Sequence, residues 1–321
     1  MAEGPVVLAV GSIRPNLIES LRAAFDTAVL PSDPDGADAL LGRVADRVRV
    51  VATASKTGIG EPLLDRLPAL GAISNFGVGL DRFDLTDLAA RGLMLSTTTG
   101  VLDGCVADVA VAMLLDLVRE LPQADAFVRS GAWRQGQFPA TQRVRGTRVG
   151  ILGLGAIGRA VAARLEPFGV ELAYHSRRDV PESGLPRLDS PLELARWSQV
   201  LVVAVAGTAE TVGLVSDEVL DALGDGWLVN VARGSCVDQD ALIRRLASGQ
   251  LRGAGLDVYV GEPDVPAALS ELSNVILLPH LGPVTRATHQ EMCDLVVANI
   301  DRFLREGSLL TPVALPAPIT R

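Results

Sequence analysis

The apolar positions of this chain fall in short runs of strand-like character, separated by polar segments with helical spacing. In the first hundred residues "VVLAV", "VRVVAT", "LGAISNF" and "LMLST" read as strands between Gly- and Pro-marked turns. Segments between them, such as "NLIESLRAAF" and "GEPLLDRLPAL", carry the apolar period of helices. Parallel strands need a crossover and a helix is the usual one, so this alternation predicts a parallel α/β unit. A long helix is expected from about residue 104 to Glu120, followed by a more polar stretch with aromatics, "RSGAWRQGQFPATQRVRGTR". A second alternation then begins: "VGILGLG", "VELAYHS", "VLVVAVA", "WLVNVA", "GAGLDV" and "VILLPH". These runs suffice for a complete doubly wound sheet. A last helix is expected over about Thr285 to Glu306, before a Pro-rich tail.

Composition narrows the classes of function. A chain of 321 residues has room for two domains, and 48% hydrophobic with 21% charged residues describes a core-forming protein. A net charge of −9 argues against nucleic acid or an anionic membrane as partner. A local cationic cluster in such a chain is therefore informative. Cys105, Cys236 and Cys293 are far apart and form no CxxC pair, which indicates neither a disulfide framework nor a metal site, and fits a cytoplasmic protein. "MAEGPVVLAVGS" reads as a first strand and not a signal peptide. "VADVAVAMLLDLV" is broken by Asp108 and Asp116 and is too short to span a bilayer. The single lysine, Lys56, lies in "TASKTGIG" and reads either as a solvated loop charge or as a substrate contact.

"VGILGLGAIGRAVAARL" places Gly153, Gly155 and Gly158 in G-x-G-x-x-G spacing between an apolar strand and an alanine-rich helix. The first glycine permits the tight turn, the second lets a pyrophosphate approach the backbone, and the third lets helix and strand pack closely. With Leu154, Ala156 and Ile157 between them, they open a helix whose N–H groups face the phosphates. At the end of the next strand an NAD site usually places a carboxylate for the ribose 2′-hydroxyl. Here Ser176, Arg177 and Arg178 stand there, and Asp179 comes too late. Guanidinium groups match phosphate geometry, so NADPH is expected to be preferred over NADH; the alternative reading of the arginines is a solvated turn.

Among the histidines, His175 lies beside that 2′-phosphate site and His289 falls in the last helix as surface or core filling. His280 ends the buried run "VILLPH", where a doubly wound fold places ligands, and imidazole suits proton transfer near neutral pH. Arg233 in "NVARGSC" and Glu262 in "YVGEPD" stand at neighbouring strand ends. Together they make a plausible site in which Arg binds a carboxylate, Glu orients the imidazole and raises its pKa, and His donates a proton. Taken singly, Arg233 or Glu262 reads equally well as part of a surface salt bridge.

"GILGLGAIG", "NVARGSCVD", "GAGLDVYVGEP" and "LLPHLG", in this order and spacing, resemble the D-isomer-specific 2-hydroxyacid dehydrogenases, and the likeness covers nearly the whole chain. "SNFGVGLD", "GAWRQGQF" and "YHSRR" are most similar to the NADPH-dependent hydroxypyruvate and hydroxyphenylpyruvate reductase branch. The resemblance implies two doubly wound parallel-sheet domains, Rossmann- and flavodoxin-like, with the active-site cleft between them. Residues 1–100 plus 288–321 would form the substrate domain, and 101–287 the inserted dinucleotide domain. It implies Arg233, Glu262 and His280 as the catalytic set, Val78 and Gly79 as the backbone hold on the substrate carboxylate, and Asp257 beside the nicotinamide carboxamide. Val205, Ala232 and Gly282 would line the cofactor, and the helix after residue 104 would build a homodimer interface. Departures are Pro283 where a small residue is usual, "AVAGTAET" where a Pro-containing turn is common, and Thr99 in place of a proline.

The reaction implied is reduction of a small 2-oxo acid of the glyoxylate or hydroxypyruvate type to its D-2-hydroxy acid, by hydride transfer from NADPH with His280 as acid. Reduction of an aromatic 2-oxo acid, with Phe76 and Phe138 lining a pocket, or of a sugar-derived one is an alternative. A dinucleotide-sensing, corepressor-like binding protein is the alternative from another class.

Overall fold

The computed structural model describes residues 4–316. The ends of the expected substrate domain, residues 1–3 and 317–321, lie outside the described residues. The chain divides into two compact units: one runs to Leu102 and resumes at Thr285, the other spans Asp103–Val284. Both divisions fall at helix starts, where Asp103 opens the helix Asp103–Arg119 and Thr285 caps the helix Arg286–Glu306.

The first unit has strands β1 (Val6–Ala9), β2 (Thr27–Val29), β3 (Val48–Ala54), β4 (Ala72–Phe76) and β5 (Met94–Ser96). All pairs are parallel, in the order β2-β1-β3-β4-β5. This is the flavodoxin-like winding. Both faces are buried, which is why the strands read as continuous apolar runs. Val7, Ala9, Val50 and Ala52 pack on Leu17, Leu21, Val296 and Ile300, while Val6, Leu8, Val51 and Ile73 pack on Leu41, Leu64 and Leu88. Strand β2 had no counterpart in the apolar runs, because it is a three-residue, half-buried edge strand. "GEPLLDRLPAL" is helical only over Glu61–Leu64, since Pro68 bars the helix from continuing.

The second unit has β6 (Arg148–Leu152), β7 (Glu171–His175), β8 (Val200–Val203), β9 (Trp227–Asn230), β10 (Gly253–Leu256) and β11 (Val275–Leu277). They form one parallel sheet in the order β11-β10-β9-β8-β6-β7. All six expected runs are strands. The winding changes direction at β6, which lies between β8 and β7, and ligands of doubly wound sheets bind beyond the carboxyl ends of strands at such a point. Leu152, Leu201, Val203, Leu228 and Leu256 pack under Leu194, Leu220, Leu242 and Leu246 on one face. On the other, the helix Asp103–Arg119 comes so close that a Cβ on Gly255 would lie 2.9 Å from Met113. Among the described residues no helix is long and apolar enough to cross a membrane, and none of Cys105, Cys236 and Cys293 forms a disulfide. No cluster that could hold a metal ion occurs among them.

Candidate active site

Every site residue expected in the second unit lies at the carboxyl edge of its sheet. The glycine loop follows β6, Ser176–Arg178 follow β7, Val205 follows β8, Ala232 and Arg233 follow β9, Asp257 follows β10, and His280–Gly282 follow β11.

The three glycines differ in the space around them. Gly153 has φ +99° and a Cβ there would stand 2.8 Å from the Ala204 carbonyl. A Cβ on Gly158 would overlap the Gly153 carbonyl at 2.0 Å. At Gly155 nothing lies within 4 Å of the Cβ position, so the fold itself does not require glycine there. That open space is what close approach of a pyrophosphate needs. Gly155 also begins the helix Ala156–Leu165 without any side-chain cap, leaving its first turn to receive an anion. Leu154 is buried beneath the loop. The residues fit a dinucleotide.

At the end of β7 the expected cationic turn is built and supported. The Ser176 hydroxyl bonds to the Arg178 carbonyl, and Arg187 Nη2 donates to the Ser176 carbonyl at 3.0 Å. Asp179 accepts from the buried Tyr174 hydroxyl at 2.8 Å. Its carboxylate is thus committed to the sheet. Arg177 pairs with Glu210, and Arg178 is exposed with no ion pair among the described residues.

The Arg233 loop and the Glu262 turn are locked to each other. Buried Asn230 accepts from the Ala232 N–H at 3.0 Å and donates to the Arg233 carbonyl at 2.9 Å. Gly234 presses on the next loop so tightly that a Cβ would lie 2.2 Å from the Tyr259 carbonyl carbon. Gln239 clasps both backbone groups of Val260, accepting at 2.7 Å and donating at 3.3 Å. Glu262 accepts from the Tyr259 N–H at 3.2 Å through Oε1, and its Oε2 lies 3.0 Å from His280 Nδ1. The two side chains are 23% and 27% exposed, so the pair is shielded yet reachable.

His280 has φ +56°, a left-handed conformation unusual for a side chain of this size. Asp257 holds it there. The Asp257 carboxylate, 2% exposed, accepts from Leu281 N–H at 2.6 Å and Gly282 N–H at 3.0 Å, and its carbonyl accepts from His280 N–H at 3.0 Å. Pro283 fits without loss, because Val284 N–H closes the turn on the Leu281 carbonyl at 2.7 Å and no donor is needed between them. Asp257→Asn is expected to cost about 2 kcal/mol, since an amide offers one acceptor oxygen where two N–H groups, that of Gly282 buried, need partners. Thermal unfolding together with turnover checks this, and an unchanged Tm with unchanged kcat would contradict it.

In the first unit, Val78 and Gly79 lie in the loop after β4. Buried Asn75 donates to the carbonyls of Gly77 and Gly79, both at 3.2 Å, and to Ser55 Oγ at 2.9 Å. Among the described residues no acceptor takes the N–H of Val78 or Gly79. Lys56 is exposed in the loop adjoining Ser55. Phe76 contacts His289, with ring centroids 6.2 Å apart, and Phe138 packs edge-on against Phe127 at 5.4 Å. Burial, with help from Arg14, pushes the His289 imidazole below its ordinary pKa. The sequence reading missed Asn75, Asn230 and Gln239. For the two asparagines the signal was available: a lone amide at the carboxyl end of an apolar strand, in "AISNF" and "WLVN".

A family model described as the NAD-binding domain of D-isomer specific 2-hydroxyacid dehydrogenases matches residues 111–282. The chain belongs to this family. It is 44% identical over 270 residues to hydroxyphenylpyruvate reductase of Plectranthus scutellarioides, covering 84% of this chain and 86% of that protein. Against glyoxylate/hydroxypyruvate reductase A of Arabidopsis thaliana it is 42% identical, over 85% of this chain and 88% of the other. A solved structure of an NADPH-dependent glyoxylate/hydroxypyruvate reductase from Sinorhizobium meliloti, in complex with NADP and malonate, matches with TM-score 0.89 and 41% identity over 99% of each chain. This D-2-hydroxyacid dehydrogenase is therefore an oxidoreductase with a nicotinamide dinucleotide site.

Proposed function

We propose that the protein reduces a small 2-oxo acid, of the glyoxylate or hydroxypyruvate kind, to the D-2-hydroxy acid, with NADPH preferred over NADH. The observation that carries the reading is the 3.0 Å contact of Glu262 with His280 Nδ1, on a turn locked to the Arg233 loop. The bound nicotinamide supplies the hydride. Glu262 accepts from Nδ1–H, which leaves the Nε2–H of the imidazolium to protonate the substrate carbonyl oxygen. Arg233 binds the carboxylate and carbonyl oxygens and stabilises the charge that grows on the latter. Val78 and Gly79 hold the carboxylate through their backbone N–H groups, and Asp257 positions the histidine.

Ser176, Arg177 and Arg178, with no carboxylate free at the end of β7, support NADPH. The NADPH dependence of the Sinorhizobium meliloti relative points the same way. The Plectranthus scutellarioides relative favours a second reading, reduction of an aromatic 2-oxo acid. A homodimer is supported by the exposed Leu121, Val128 and Trp133, which follow the helix Asp103–Arg119, and the wide spacing of Cys105, Cys236 and Cys293, with no CxxC pair, fits a reducing cytoplasm.

Initial rates with hydroxypyruvate at equal, subsaturating NADPH and NADH test the proposal. A rate at least tenfold higher with NADPH is expected, equivalent to about 1.4 kcal/mol. Equal or NADH-favoured rates would overturn the coenzyme assignment. Turnover of phenylpyruvate with none of hydroxypyruvate or glyoxylate would overturn the substrate class.

A further inference from the structure

The Arg177–Glu210 ion pair joins two loops that flank the phosphate loop. Strand β6 lies between β8 and β7, so their exits stand on either side of the Gly153–Gly158 loop. The distances bear this out: Gly153 N–H donates to the His175 carbonyl at 2.8 Å, and the position of its missing Cβ lies 2.8 Å from Val205 N on the other side. Arg177 leaves the β7 side and Glu210 the β8 side. The pair therefore links the two loops that leave the sheet on either side of the phosphate loop.

Glu210 is not on a loose tail. It sits inside the turn Ala209–Thr211, where Thr208 N–H donates to Thr211 Oγ1 at 2.9 Å and Thr211 Oγ1 donates to the Ala206 carbonyl at 2.8 Å. Gly213 N–H then ties the segment to the Ser235 carbonyl at 2.8 Å. This turn belongs to the "AVAGTAET" segment. It sets a carboxylate against one of the two guanidiniums that would bind the 2′-phosphate, and leaves Arg178 as the one with no ion pair among the described residues.

We propose that Glu210 weakens the NADPH preference of this site: it holds Arg177 in an ion pair that the 2′-phosphate must displace, and its charge stays near that phosphate. The inference rests on the NADPH reading above and adds an opposing charge to it. An exposed ion pair is weak by itself, so displacing it costs little. A phosphate dianion that takes Arg177 is nevertheless left within a few ångströms of the Glu210 carboxylate, and that repulsion acts only on the phosphorylated coenzyme. Glu210 thus moderates the preference that the arginines create.

The test uses the adenosine halves of the two coenzymes, 2′,5′-ADP and 5′-AMP, titrated calorimetrically into the wild-type protein, Glu210→Gln and Arg177→Ala. Glu210→Gln is expected to tighten 2′,5′-ADP by about three- to tenfold, reflecting the loss of one unit charge near the phosphate, with 5′-AMP unchanged within twofold. The gain should shrink in high salt. If Arg177→Ala weakens 2′,5′-ADP while Glu210→Gln leaves it unchanged, Glu210 is no competitor and the inference falls alone. Should Glu210→Gln instead weaken 5′-AMP, the carboxylate serves the ribose hydroxyl and the inference is overturned. Equal affinity for both nucleotides in the wild-type protein, unaltered by Arg177→Ala, removes the NADPH reading and the inference with it. Matching Tm values for the three proteins exclude a folding effect.

Discussion

Replacing His280 with alanine is expected to lower kcat for 2-oxo acid reduction by about 10²–10⁴-fold, the usual contribution of a positioned general acid. The imidazole is presented by a strained backbone that Asp257 clamps through three N–H groups, and its Nδ1 is engaged by Glu262. Those backbone contacts do not involve the histidine side chain, so the variant should keep the loop, the fold and dinucleotide binding. Steady-state kinetics with hydroxypyruvate, alongside a dinucleotide titration, decide the matter. Turnover near the wild-type level would sink the assignment of His280.

Arg233→Gln is expected to reduce kcat/KM by about 10²–10³-fold, the range found when a donor aimed at developing negative charge is removed. Glutamine keeps hydrogen-bonding capacity but loses the charge and the two-pronged fork that matches a carboxylate. Its neighbours cannot compensate: Asn230 is spent on the Ala232 and Arg233 backbone, and Gln239 on Val260. Arg233→Lys should recover only part of the loss, since a point charge does not reproduce the fork. The measurement is kcat and KM for hydroxypyruvate in both variants. A drop of less than fivefold in Arg233→Gln would mean that the substrate is held elsewhere. Near-full rescue by lysine would reduce the role of Arg233 to net charge.

Some of this was fixed by residues close together in the chain. The strands of both sheets are legible because parallel strands bury both faces and so read as unbroken apolar runs; only the short edge strand β2 escaped. The glycine loop is legible because its three constraints, a turn, an open approach and a close helix, are local and each needs the absence of a side chain. The cationic end of β7 is legible for the same reason, as three consecutive residues at a strand end. The tertiary structure alone decided how distant residues meet. Glu262 and His280 stand 18 positions apart, Arg177 and Glu210 stand 33 apart, and Asp257 reaches Leu281 across 24. No periodicity relates such positions, because they are brought together by the ends of different strands of one sheet and not by any step along one element. The sequence by itself determined the strands of the second sheet and which residues stand at their carboxyl ends. Which side chains those ends pair, and which of them hold backbone in place, followed only once the sheet had set strand against strand.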